Sequence, residues 1–373
     1  MSIVQGTTSE KFDRLRDVFE GQLRSGEEVG ASLAVYSKGE LVVDLWGGFT
    51  DEAMTTPWER DTIVNVWSVT KTMTFLVALM LADRGQLDFH APVMKYWPEF
   101  AQNGKEDIEV RHVMGHTAGL PFWSAPLKPR DLADWECCTD ALAAQAPLWK
   151  PGTASGYHLV TQGFLIGEIV RRVTGMTFGE FFRAEVSSVL DADFHIGLPA
   201  SEDYRVSSVI PAAGNVLDGL DPDSIAYRAW TSPRLDFTWP QDRWWRAAEI
   251  PASNGHGNAR SVATIQSIVA NRGEFNGKRF FSEQTGDQIF ETQAHDVDLV
   301  LGIEAHFGMG YGLASSLTPV GPRTCYWAGL GSLIIMDQDL GITIGYTPNK
   351  MQIVPGGTRG ALIARAVIEA ALS

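Results

Sequence analysis

With 373 residues, 45% of them hydrophobic and 20% charged, the chain has the apolar content for a large buried core, which excludes global disorder. A formal net charge of -15 argues against the basic face that phosphate backbones and anionic lipids require, so neither nucleic acid nor a membrane is an expected partner. Three cysteines, Cys137, Cys138 and Cys325, make no disulfide framework; with no secretory leader and no apolar run of about 18 residues, a cytoplasmic location is expected.

Residues 9 to about 25 predict an amphipathic helix, because Phe12, Leu15, Val18, Phe19 and Leu23 recur at helical spacing and Ser9 is an N-cap type. Two strand-like runs follow, 31–37 and 40–49, split by Lys38-Gly39 as in a hairpin. A second helix is expected to start near Ser68 and to stop at Gly85, a residue suited to the C′ position. The middle is rich in Pro, Gly and Trp, with a helical stretch over 160–173. Strands return at 310–314, 324–327, Ser332–Asp337 and 342–346, the last two joined by a turn at Asp339-Leu340-Gly341, before an alanine-rich helix over 359–372. The expected architecture is α+β. Residues 1–85 and 300–373 would build one antiparallel sheet flanked by helices, residues 86–299 a mainly helical part, and the cleft between them the active site.

The chemistry-bearing signal is Ser68-Val69-Thr70-Lys71 at the predicted helix start, the one S-x-x-K in the chain. Residues three apart share a helix face, so the Lys71 amine can reach the Ser68 hydroxyl, and the helix N-terminus adds positive potential. That is a nucleophile–base arrangement; its bland counterpart is an N-cap serine followed by a solvated lysine. No G-x-S-x-G, phosphate-binding loop, dinucleotide fingerprint or HExxH is present, and the eight histidines are scattered, so no cofactor and no metal are expected.

Five segments in order resemble the serine β-lactamase and penicillin-binding-protein superfamily: class C β-lactamases, DD-peptidases and, most of all, family VIII carboxylesterases. They are the Ser68 helix with its GQLDFHAPV continuation, RHVMGHTAGLP (111–121), PGTASGYHLV (from 151), SNGHGNARSVA (253–263) and WAGLGS (327–332). The resemblance implies a β-lactamase/DD-peptidase-like fold and an acyl-enzyme on Ser68, with Lys71 and Tyr157 as a shared base system in which either residue could take the proton. Lys71 would pull the phenol pKa of Tyr157 below about 10. It further implies an oxyanion hole from the N–H groups of Ser68 and Leu330, with Gly329 and Gly331 permitting close backbone approach.

Two departures bear on the substrate. Trp327 replaces the cation with which β-lactam-recognising members hold a carboxylate, and Leu159 replaces an amide-bearing asparagine. Both favour a small-molecule ester. Trp327, Gly329, His158 and Trp123 are the substrate-binding candidates, the tryptophans of the central part being read as an apolar wall. His116 and His256 read as structural. An acyltransferase, a β-lactamase or D-amino-acid peptidase, and a non-catalytic homologue remain alternatives; the oligomeric state is open.

Overall fold

The Lys38-Gly39 pair turns the chain because both residues take positive φ, 51° and 85°, as a two-residue hairpin of matching twist demands. In the computed structural model, which describes residues 3–318, 320–353 and 358–373, this turn joins β2 (Gly30–Ser37) to β3 (Glu40–Gly48). The remaining strands of the six-stranded sheet are β1 (Val4–Thr8), β4 (Thr324–Gly329), β5 (Ser332–Asp337) and β6 (Ile342–Pro348). Their order is β1-β3-β2-β6-β5-β4, with every pair antiparallel. The two ends of the chain meet at the centre, where Ser37 of β2 faces Ile342 of β6. The turn into β6 is fixed by Asp337, whose carboxylate accepts the N–H groups of Asp339 and Leu340 at 3.0 and 2.8 Å.

Both faces of the sheet are covered. On one, α1 (Arg14–Ser25) and α5 (Thr358–Leu372) bury Leu15, Phe19, Ile363 and Val367 against Leu33, Leu45 and Ile344. On the other lies α4 (Ala259–Ala270), so close that a Cβ at Gly345 would stand 2.6 Å from the Ala259 carbonyl oxygen. Although α4 falls within the stretch read as the helical part, its Ala259 and Ala263 pack on Ala34 of the sheet. The larger core surrounds α2 (Lys71–Asp83), whose residues from Lys71 to Leu81 are all buried, as an all-round apolar helix requires, and α3 (Thr161–Thr174). Gly85 ends α2 with φ 68°.

The second helix starts near Ser68 as expected: a single 3-10 turn, Trp67–Thr70, carries the serine and runs on into α2 at Lys71. Two expectations are corrected. Residues 310–314 form no strand; glycines break the run, and Gly312 alone makes isolated bridges to Phe307 and Tyr326. Strand β1 is an addition, since VQGTT alternates too weakly to announce itself. Ser9 does cap a turn, but the 3-10 turn Glu10–Phe12, and without a side-chain bond. No helix among the described residues is long and apolar enough to cross a membrane.

Candidate active site

Ser68 is partly exposed on a turn held from three sides. Trp67 before it adopts φ 50°, a left-handed conformation unusual for a bulky side chain. Its ring is locked by Phe237 and Trp245, with centroids 5.7 and 6.2 Å away. Beside the turn runs the segment 253–257, bonded to it from Val66 N–H to the Gly255 carbonyl at 2.9 Å and from Gly255 N–H to the Thr70 hydroxyl at 2.9 Å. On the third side is the end of β4. A Cβ on Gly329 would stand 2.5 Å from the Ser68 nitrogen, so only glycine lets this backbone, and Leu330 after it at φ 48°, come so near Ser68.

Lys71 is wholly buried. Its Nζ lies 3.2 Å from Ser68 Oγ and donates to the carbonyls of Leu159 at 2.7 Å and Ala252 at 3.0 Å. Burial pushes its pKa well below that of an ordinary lysine. The two carbonyls accept two of its hydrogens; toward Ser68 Oγ an ammonium donates its third hydrogen, whereas a neutral amine has a lone pair for the Ser68 O–H. Burial favours the neutral form.

Tyr157 completes the group. Lys71 Nζ stands 4.8 Å from its ring centroid, and the ring packs against His116, Trp327 and Phe307 at 4.8, 5.9 and 6.4 Å. Burial pushes the phenol pKa up; the adjacent Ser68 hydroxyl and Trp327 N–H oppose this in part, and the charge of Asp298 adds to the rise. The expectation that Lys71 would draw the phenol down is therefore overturned, because burial disfavours charge on both groups.

With this geometry stand the likenesses to known proteins. The family model described as Beta-lactamase matches residues 15–368. The chain belongs to the β-lactamase family. Within it, a family VIII carboxylesterase of known crystal structure superposes with a TM-score of 0.92 at 37% identity, covering 98% of this chain and 99% of that one. The esterase/β-lactamase LipL of Mycobacterium tuberculosis is 35% identical over 304 residues, 75% of this chain and 68% of that protein. The esterase EstB of Burkholderia gladioli is 26% identical over 367 residues, 89% of this chain and 88% of its own.

Against that background the substrate-binding candidates divide. Gly329 lies against the Ser68 backbone. Trp327 is 4% exposed, wedged between Phe75 and Tyr157, with an indole N–H that is buried and makes no regular hydrogen bond among the described residues. It backs the phenol instead of offering a broad face to substrate. His158 is corrected: it is wholly buried, Nε2 accepts from Leu120 N–H at 3.2 Å and Nδ1 donates to the Gly156 carbonyl at 2.6 Å, leaving no nitrogen for a ligand. Trp123 is corrected too, a core residue whose N–H donates to the Cys138 carbonyl at 2.9 Å. Trp239 and Trp245 are buried as well, in the aromatic cluster behind Trp67.

His256 is buried with Nδ1 on the Asn254 carbonyl, apart from the serine, as its structural reading required. His116 stands nearer the chemistry than that reading allowed, its ring lying between Tyr157, Phe307 and Trp327. The sequence reading missed Trp67, the carbonyl of Ala252, and Asp298, whose carboxylate accepts the Tyr157 N–H at 2.9 Å. The position of Trp67 next to the S-x-x-K could have flagged it; the other two act only through the folded backbone.

Proposed function

We propose that this family member is a carboxylesterase that works through an acyl-enzyme on Ser68. Ser68 Oγ gives its proton to neutral Lys71 and bonds to the ester carbonyl carbon, while the carbonyl oxygen gathers negative charge between the N–H groups of Ser68 and Leu330. The intermediate collapses by breaking the bond to the alcohol oxygen, which takes the Tyr157 phenol proton. Lys71, now an ammonium, returns a proton to Tyr157. Water then attacks the acyl group, and the carboxylic acid and Ser68 are released.

The observation that carries this reading is the set of partners around Lys71 Nζ, two carbonyls and the Ser68 hydroxyl, which fits an amine poised to accept a proton. Burial sets the starting states that these roles need: Lys71 begins neutral and Tyr157 begins protonated. Support for an ester over a β-lactam comes from Trp327, a neutral side chain where a carboxylate-holding cation would stand, and from the likeness to EstB and to the family VIII carboxylesterase. The test is turnover of a p-nitrophenyl ester series beside a chromogenic cephalosporin, with Ser68→Ala as control. Ser68-dependent ester hydrolysis that outpaces cephalosporin opening is expected. Faster cephalosporin opening, or ester turnover that survives Ser68→Ala, would sink the reading.

A further inference from the structure

Asp298 is wholly buried, and no Lys, Arg or His among the described residues lies within ion-pair distance of it. A carboxylate in such a place is costly unless its oxygens are saturated with hydrogen bonds. Here they are. Oδ1 accepts the N–H groups of Tyr157, Val300 and Leu301, each at 2.9 Å, and Oδ2 accepts the Ser155 hydroxyl. A further bond, from Leu299 N–H to the Ser155 carbonyl at 2.8 Å, fastens the same two segments. One side chain thus ties 155–157, which carries the phenol, to the loop at 298–301. A few residues on, Phe307 stacks on the Tyr157 ring.

We propose that Asp298 is a positioning residue: its carboxylate clamps the backbone of Tyr157 and so fixes the phenol at the hydroxyl of Ser68. The inference rests on the reading of Tyr157 as the proton donor above. Asp298 is itself wholly buried, out of reach of a substrate, so its effect on the chemistry passes through the Tyr157 backbone that it holds. Displacing a reacting group by about 1 Å costs up to ~10²-fold in rate, whereas substrate binding needs no such alignment. Loss of the clamp should therefore lower kcat and leave KM nearly unchanged.

The distribution of bonds supplies a control. All three backbone N–H groups go to Oδ1, so Asp298→Asn can keep them on its carbonyl oxygen and turn its amide N–H toward Ser155 Oγ. Asp298→Ala loses everything.

The experiment measures kcat and KM for a simple alkyl ester, whose departing alkoxide needs the phenol proton as p-nitrophenolate does not, with Asp298→Ala, Asp298→Asn, Tyr157→Phe and the double variant Asp298→Ala/Tyr157→Phe, with thermal melts alongside. We expect kcat to fall ~10- to 100-fold in Asp298→Ala at a KM within about threefold. Asp298→Asn should recover most of that loss, and adding Asp298→Ala to Tyr157→Phe should cost less than about threefold more. Losses that simply multiply in the double variant, or an Asn variant as poor as Ala, would overturn the clamp and leave the esterase mechanism standing. An unchanged kcat in Tyr157→Phe would bring down the mechanism and the clamp together. If Asp298→Ala does not fold, Ser155→Ala replaces it, removing the Oδ2 bond alone. A loss of a few fold in kcat that vanishes in the Tyr157→Phe background is then expected, and a loss that persists there overturns the proposal.

Discussion

Among the described residues, Lys71 and Lys105 are both wholly buried, and they differ in what surrounds the nitrogen. Lys105 donates to the carbonyls of Gln102 at 2.8 Å, Ala143 at 2.9 Å and Gln145, so it needs all three hydrogens of an ammonium. Burial lowers its pKa to about 8, which leaves it charged at neutral pH. Lys71 has a hydroxyl in place of the third carbonyl, and in the proposed mechanism that one exchange turns a structural staple into a base. Lys71→Met and Tyr157→Phe should each cut kcat by about 10²–10⁴-fold, the usual worth of a positioned acid or base. Lys71→Arg should not rescue, since a guanidinium stays protonated. As activity needs neutral Lys71, kcat/KM should fall as pH drops through its depressed pKa. A pH profile should place that acid limb well below 10.5, the ordinary lysine value; a limb at the ordinary value would contradict the assignment.

At the scale of elements, the site is the contact between the end of β4 and the turn before α2. Gly329→Ala would force a Cβ to within 2.5 Å of the Ser68 nitrogen and push the strand off the nucleophile. Displacing an oxyanion donor typically costs about 10²–10³ in kcat, and that loss together with a lowered melting temperature is the expected outcome. Some of these elements were legible because local chemistry dictates them. Lys38-Gly39 supplies a turn with two positive φ values, and Gly85 supplies the stop of α2. Ser68 and Lys71 were legible from their spacing, Tyr157 from the resemblance alone. β1 was not, because it is defined by its partner β3 and not by its own alternation. Neither were the corrected assignments of His158 and Trp123. Both polar aromatics lie in a stretch dense with such residues, and which of them turn inward depends on carbonyls and N–H groups that spacing does not reveal.

Taken whole, the molecule is closed by a knot of polar groups beneath the sheet. Glu28 faces Arg359 across 2.7 Å and accepts from the Tyr346 hydroxyl, while Gln22 donates to the Arg359 carbonyl at 3.0 Å, so α1, β6 and α5 converge there. Burial raises the Glu28 pKa from 4.5 to about 7, against the pull of Arg359. Below pH 4.5 the group is protonated in both folded and unfolded chains. As pH rises the unfolded chain ionises first, so stability drains away up to about pH 7 and is level beyond it. The drain amounts to about 3 kcal/mol at most. Thermal melts between pH 5 and 7 should show this decline in the native chain and a flatter profile in Glu28→Gln.

The pairing of β2 with β6 also sets a timetable on the ribosome. Ser68 and Lys71 are synthesised early, but β2 has no neighbour on its inner side until the last strand emerges more than 300 positions later, Ser37 opposite Ile342. Until then the nascent chain carries a naked sheet edge, the kind that recruits chaperones or aggregates. It also lacks Gly329 and Leu330, so of the two N–H donors proposed for the oxyanion only that of Ser68 is in place. A chain stopped before Gly329 and β6 is therefore expected to hydrolyse no ester, which a truncated variant assayed beside the full chain would check.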